Sequence, residues 1–184
     1  MEAISTSRHI ELSSSNPDEL SLAEAKLRLD HEQLRKQLRM VEMYAKEAMR
    51  MEDPANSRVL AEQLHGLLDQ FVADLERHTQ WEQEVLFPLL LTYYHHDLSP
   101  TIRPSFWVLE KEYQLGLSFI QSFREELCPI AECPCDRSGR TCAPEAAANL
   151  VQACLIFHNH FTMEEEIILP LTEKVLTDLE YFFS

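Results

Sequence analysis

Glycine is scarce in this chain, with three among 184 residues. So few points of backbone freedom, beside a large share of Leu, Glu, Gln, Ala and Met, argue for helix. Basic residues are outnumbered, 16 Lys and Arg against 31 Asp and Glu, which leaves a formal charge of −15. That balance argues against nucleic acid or an anionic membrane surface as a partner and suits cations as ligands. No apolar run reaches the length of a membrane span. Residues 1–16 are polar and Ser-rich, without the basic start and apolar stretch of a secretion signal, and read as a flexible tail before a folded part over 17–184. The cysteines number five, an odd count with no export signal, so reduced thiols and a cytoplasmic location are expected. The aromatics are too numerous for a disordered chain, and the length suffices for one domain with a real core.

Four amphipathic stretches carry that core. The first opens at Asn16-Pro17-Asp18-Glu19, a capping residue followed by Pro and acids in the first turn, and a helix is predicted over 17–51. Its seam, stepped by threes and fours, reads Leu27, His31, Leu34, Leu38, Val41, Ala45 and Ala48. Asp53-Pro54 breaks the chain, and Ser57 can cap a second helix predicted over 57–88, fraying onward to Tyr94. The second seam is Leu60, Leu64, Leu67, Phe71, Leu75, His78, Glu82, Val85 and Leu89, with Pro88 expected to kink or end the helix. His95 and His96 fall in a turn and read as solvated. A third helix over 101–127 has the seam Phe106, Leu109, Tyr113, Leu117, Ile120 and Phe123. The fourth opens at Pro144, with Leu150, Ala153, Phe157, His160, Glu164, Ile167 and Leu171 on its seam. Pro170 is expected to interrupt it, leaving a short C-terminal helix to about residue 181. The fold class is therefore all-α: an up-down-up-down four-helix bundle with a short C-terminal helix and a Cys-rich loop between the third and fourth helices.

The polar residues on these seams are organised. His78-Thr79-Gln80-Trp81-Glu82 runs into Val85-Leu86-Phe87-Pro88, and His160-Phe161-Thr162-Met163-Glu164 runs into Ile167-Ile168-Leu169-Pro170. Residues four apart share a helix face, so each segment points an imidazole and a carboxylate the same way. His31 lies about 14 residues into the first helix and Tyr113 about 10 into the third, at about 1.5 Å of rise per residue. Each His-Glu pair lies about 10 and 6 residues before its Pro. With alternate helices antiparallel, all six side chains fall in one layer. A lone seam His is more often a hydrogen-bonded core residue than a ligand. Two Glu, three His and a Tyr at one depth, however, need a compensating charge, because buried carboxylates are costly unless paired or bound to metal. His31, His78, Glu82, Tyr113, His160 and Glu164 are accordingly the candidate metal ligands. Imidazoles and carboxylates without thiolate suit iron, manganese or zinc, with Glu82 and Glu164 able to bridge two ions.

This arrangement resembles the hemerythrin-like (HHE cation-binding) family. The matching residues are Asp30-His31, His78-x-x-x-Glu82 with Leu86-Phe87-Pro88, and His160-x-x-x-Glu164 with Ile168-Leu169-Pro170, across about residues 17–180. The ferritin-like proteins use the opposite polarity, Glu-x-x-His. The resemblance implies two iron ions, oxo- or hydroxo-bridged, held by His31, His78, His160, Glu82 and Glu164. The family's third helix usually reads Glu-His at its ligand; here it reads Glu112-Tyr113. Either Tyr113 ligates as a phenolate, or Glu110 steps in, or that iron is one ligand short. Reversible O₂ carriage is then less expected than binding or sensing of O₂, NO or peroxide. A di-iron enzyme, an oxidase, peroxidase or iron-centre repair protein, is the alternative. A homodimer is left open.

Residues 128–143 form an insert with Cys128, Cys133, Cys135 and Cys142. Their spacing lacks the paired Cys-x-x-Cys of a zinc ribbon. Free thiols, a disulfide from Cys128 to Cys142, and a bound zinc or iron–sulfur cluster are the readings. Cys154 and His158 are expected to be a core thiol and a non-ligand. Glu84, Glu165 and Glu166 continue acidic runs and are expected to be mostly solvated, with supporting roles behind the ligands left open.

Overall fold

A computed structural model describes residues 17–50, 54–93, 99–126 and 143–183. The N-terminal tail, the turn with His95 and His96, and the cysteine insert lie outside the described residues. Within them the chain is helical, without strands: α1 (Pro17–Ala48), α2 (Pro54–Trp81), a π-helical turn (Glu82–Leu86), α3 (Phe87–Tyr93), α4 (Ser99–Glu126) and α5 (Ala143–Phe183). α2, the π-turn and α3 run on without a break, so four long helices build the core. α1 packs against both α2 and α5, and α4 packs against α5. No described helix is long and apolar enough to cross a membrane.

The buried apolar residues fall into two clusters. One gathers Leu34, Leu38 and Val41 of α1, Phe71 and Leu75 of α2, Ile120 and Phe123 of α4, and Phe157 and Phe161 of α5. The other holds Leu20 and Leu27 of α1, Leu86 and Leu90 beyond α2, and Ile168 and Val175 of α5. Between them, on three helices, stands a belt of buried polar side chains. His31 separates Leu27 from Leu34, His78 and Glu82 separate Leu75 from Leu86, and Glu164 separates Phe161 from Ile168. Two layers of close-packed hydrocarbon thus shield the belt from water above and below, which raises the cost of any uncompensated charge in it.

Several expectations need correction. The second seam was expected to run Glu82, Val85, Leu89; instead Val85 is exposed, and Leu86 and Leu90 are buried. The fourth shifts alike, from Ile167 and Leu171 to the buried Ile168 and Thr172, within an ordinary α-helix. On the second, a π-turn adds to the shift. The Phe87 N–H donates to the Glu82 carbonyl five residues back, so one extra residue is wound in and the inward face moves on by one. Leu68, not Leu67, is the fully buried residue one turn before Phe71. Lastly, there is no separate C-terminal helix: α5 runs through Pro170 to Phe183. Pro170 is exposed, so its ring and missing donor face outward. Ile168, Thr172 and Val175 stay buried on the inner face and carry the helix across. The Thr172 hydroxyl also donates to the Leu169 carbonyl at 2.8 Å, next to the break.

Candidate metal centre

His31 comes from the middle of α1, His78 from the last turn of α2, Glu82 from the first position of the π-turn, and His160 and Glu164 from successive turns of α5. All five are almost wholly buried. His31, His78, Glu82 and Glu164 each offer one ligand atom, and these four atoms lie within 4.8 Å of one another. His31 Nε2 is 3.1 Å from His78 Nε2 and 3.2 Å from Glu164 Oε2. His78 Nε2 is 2.9 Å from Glu82 Oε1. His160 stands further off, its Nε2 3.9 Å from Glu164 Oε2. Tyr113 is half-buried on α4 and lines a cleft together with Glu82, His160 and Glu164. Glu110 lies at the exposed side of that cleft and accepts a hydrogen bond from Gln114 at 3.0 Å.

Behind each imidazole stands a further carboxylate. His31 Nδ1 is 2.8 Å from Glu165 Oε1, which also takes an Arg35 guanidinium. His78 Nδ1 is 3.3 Å from Asp30 Oδ2, which is paired with Lys26, and the Lys26 ammonium lies over the Trp81 ring at 4.4 Å. His160 Nδ1 is 3.9 Å from Glu112 Oε2. Burial alone would raise Asp30 and Glu165. The neighbours His78 and Lys26 outweigh it at Asp30, and Arg35 and His31 at Glu165, holding both below the usual carboxylate range. They are therefore charged acceptors, and they place the ring protons of His31 and His78 on Nδ1.

That tautomer decides what the other nitrogens can do. With the protons on Nδ1, the two Nε2 atoms meet at 3.1 Å as lone pair against lone pair. Glu82 Oε1 in turn faces His78 Nε2, the lone-pair nitrogen of that tautomer. Consistently, Glu82 Oε1, both Glu164 oxygens and His160 Nδ1 are buried without a hydrogen-bond partner. Burial pushes Glu82 up to about 7, and burial with the adjacent Glu82 pushes Glu164 up to about 8. Burial, with His31 and His78 nearby, lowers His160 to about 4. Native interiors leave few polar atoms unmatched, and here they converge. Cations would answer the demands of the carboxylates, while His160 Nδ1 faces Glu112. Two nitrogens at right angles on one ion, at about 2.1 Å each, stand about 3.0 Å apart. The residues present therefore fit metal.

A family model, the hemerythrin HHE cation binding domain, matches residues 23–172. The chain belongs to that family. The resemblance read from the His-Glu motifs is thus borne out, and the hemerythrin HHE domain is a cation-binding one. No curated protein and no solved structure matches the chain.

Against this hemerythrin-type site, sequence reasoning found the outer carboxylates only in part. Glu165, one of three acids for which a supporting role was left open, is fixed between His31 and Arg35 because α5 turns it toward α1. Asp30 and Glu112 were noted only as neighbours of other residues. Each sits next in sequence to a candidate ligand, as Glu165 does, and that adjacency was the available clue. Glu84 and Glu166 are exposed, as expected. Cys154 is buried, with its thiol pushed up to about 12 by burial, and His158 is partly buried outside the cluster. Burial, then Glu76, raises the Tyr113 phenol, so the protein alone does not favour a phenolate there.

Proposed function

We propose that this hemerythrin-family chain is a non-haem di-iron protein that binds or senses a small molecule such as O₂ or NO, in an up-down-up-down bundle in the cytoplasm. His31, His78, Glu82 and Glu164 would hold the metal, with His160 and Tyr113 beside them on the cleft side. The observation that carries this reading is the set of four buried residues with ligand atoms within 4.8 Å, three of whose carboxylate oxygens lack hydrogen-bond partners. A bound iron pair would supply a change of oxidation state and an open position for a small ligand. The chain supplies the rest. Glu165 and Asp30 keep the imidazoles in their metal-binding tautomer and orientation. The clusters around Phe161 and Ile168 keep water out. Tyr113, protonated in the absence of metal, offers a hydroxyl toward the cleft.

Metal analysis of protein from iron-fed cells tests the proposal. Two irons per chain are expected, with loss of metal but not of helix content in Glu82→Ala. An iron-free protein, or full iron retention in that variant, sinks it. A visible charge-transfer band that disappears in Tyr113→Phe would establish direct ligation by the phenol; an unchanged spectrum removes that role. The second reading, a di-iron oxidase, peroxidase or iron-centre repair enzyme, is favoured by the cleft beside the site, which is larger than a diatomic gas needs. Turnover of peroxide by the iron-loaded protein separates it from the first.

A further inference from the structure

The polar belt is closed by side chains on three helices and left open on the fourth. α4 crosses it between Phe106, packed with the lower cluster, and Tyr113, packed with the upper one, and the buried residue between them is Leu109. On that side a cleft of about 390 Å³ reaches inward to Glu82, His160 and Glu164. Ligand sites for organic molecules occupy about 300–1,000 Å³, whereas a molecule the size of water needs about 30 Å³.

The walls define the chemistry. Phe87 and Phe106 stack along the cleft with ring centroids 4.2 Å apart and planes 19° from parallel. Trp107 stands at its mouth with 59 % of its surface exposed, a large indole with room to cover a flat guest. Among the described residues no Lys or Arg lines it, so an anion would find no cationic side chain there, and Glu110 on its exposed side disfavours one. Lys111 Nζ is 5.9 Å from the Trp107 ring, outside the lining. Thr79 Oγ1, also in the lining, is buried without a hydrogen-bond partner. A guest that brings a hydroxyl would satisfy it.

We propose that the cleft binds a planar, uncharged aromatic molecule bearing a hydroxyl group, of the phenol class, with the hydroxyl beside Thr79 and the ring against Phe87, Phe106 and Trp107. This deepens the di-iron reading above and rests on it, since it places an organic ligand, and not only a gas, next to the metal.

Equilibrium dialysis of the iron-loaded protein with 2-naphthol, naphthalene and 2-naphthoate tests it, with iron per chain measured in each sample. Saturable binding of 2-naphthol is expected, about tenfold tighter than naphthalene for the added hydrogen bonds, with naphthoate weakest. Thr79→Val should bring 2-naphthol down to the affinity of naphthalene and leave naphthalene unchanged. Trp107→Ala, an exposed substitution that spares the fold, should weaken both. No saturable naphthol binding by protein that holds two irons overturns the cleft proposal and leaves the metal reading standing, as does naphthoate binding as tightly as naphthol. Naphthol binding by protein that takes up no iron overturns the metal reading, and with it the placement of the guest beside a metal.

Discussion

Stripping the metal should make the protein less stable as the pH rises from 6.5 to 8.5. Glu82 and Glu164 titrate near 4.5 in an unfolded chain but near 7 and 8 when folded, because burial disfavours their charged forms. Between those values the folded state holds more protons than the unfolded one, so stability falls as pH rises. His160 acts in the opposite sense: lowered to about 4, it makes the unfolded state the better proton binder, but only below about 6.5. Above pH 6.5 the two acids therefore act alone. Each pH unit of such mismatch is worth about 1.4 kcal/mol. Glu164 is mismatched over about 1.5 units of that range and Glu82 over about 0.5, a total loss of roughly 3 kcal/mol. For a chain of this length that is roughly 6–12 °C in Tm. Urea unfolding of chelator-treated protein at pH 6.5, 7.5 and 8.5, followed by helical circular dichroism, measures it directly. Glu164→Gln, neutral at every pH, should flatten most of the slope. Iron-loaded protein should show the reverse trend, since binding displaces the same protons. A metal-free protein equally stable at all three pH values would refute the reasoning, because the two carboxyls would then not be neutral inside the fold.

The outer carboxylates should act through the imidazoles they hold: Glu165→Gln and Asp30→Asn are each expected to weaken iron binding about 10–100-fold with helix content intact, as read by competition with a chelator. Unchanged affinity in both would mean that the rings are oriented by packing alone. Gly116 lies where a Cβ would come within 2.5 Å of the Phe157 ring, itself fully buried. Gly116→Ala should therefore cost about 1–3 kcal/mol in urea unfolding despite its better helix propensity, and Phe157→Leu in the same chain should restore part of it. A stabilised Gly116→Ala protein would show that α4 can slide away from α5 at no cost.

Much of this architecture was legible because a water-excluding core admits polar residues only for a reason. The seam of α1 could be stepped from Leu27 to Ala48, and every residue on it is buried, His31 included. Regular α-geometry repeats the inward face every three or four residues, so the pattern survives without coordinates. The pairs His78 with Glu82 and His160 with Glu164 each needed only one turn of helix to be placed, and their common depth followed from counting back from Pro88 and Pro170. The cleft was not legible, since it comes from what α4 does not supply at the belt, and a single sequence gives no marker for a missing side chain's consequence in space.

The π-turn was illegible for a different reason, and it bears on the site. Nothing in Glu82-Gln83-Glu84-Val85-Leu86 distinguishes a five-residue turn from a four-residue one by composition. What selects it is the demand made on both sides of Glu82. His78 and Glu82 must face the belt together, which ordinary α spacing allows, yet beyond it Leu86 and Leu90 are the residues that fill the lower core beside Leu20, Leu27 and Ile168. On α5 plain α register already buries Ile168 and Thr172 four and eight residues after Glu164, and the wide turn after Glu82 swings Leu86 and Leu90 further in. Pro88 follows immediately, inside the continuous helix, with its missing backbone donor next to the wide turn. The wide turn and the proline are thus complementary: both loosen the backbone hydrogen-bond ladder at the point where the bundle changes from polar belt to hydrocarbon. Such turns recur where a side chain must be aimed for function. Here the residue that opens the turn, and whose carbonyl closes it, is Glu82, one of the two acids in the buried cluster.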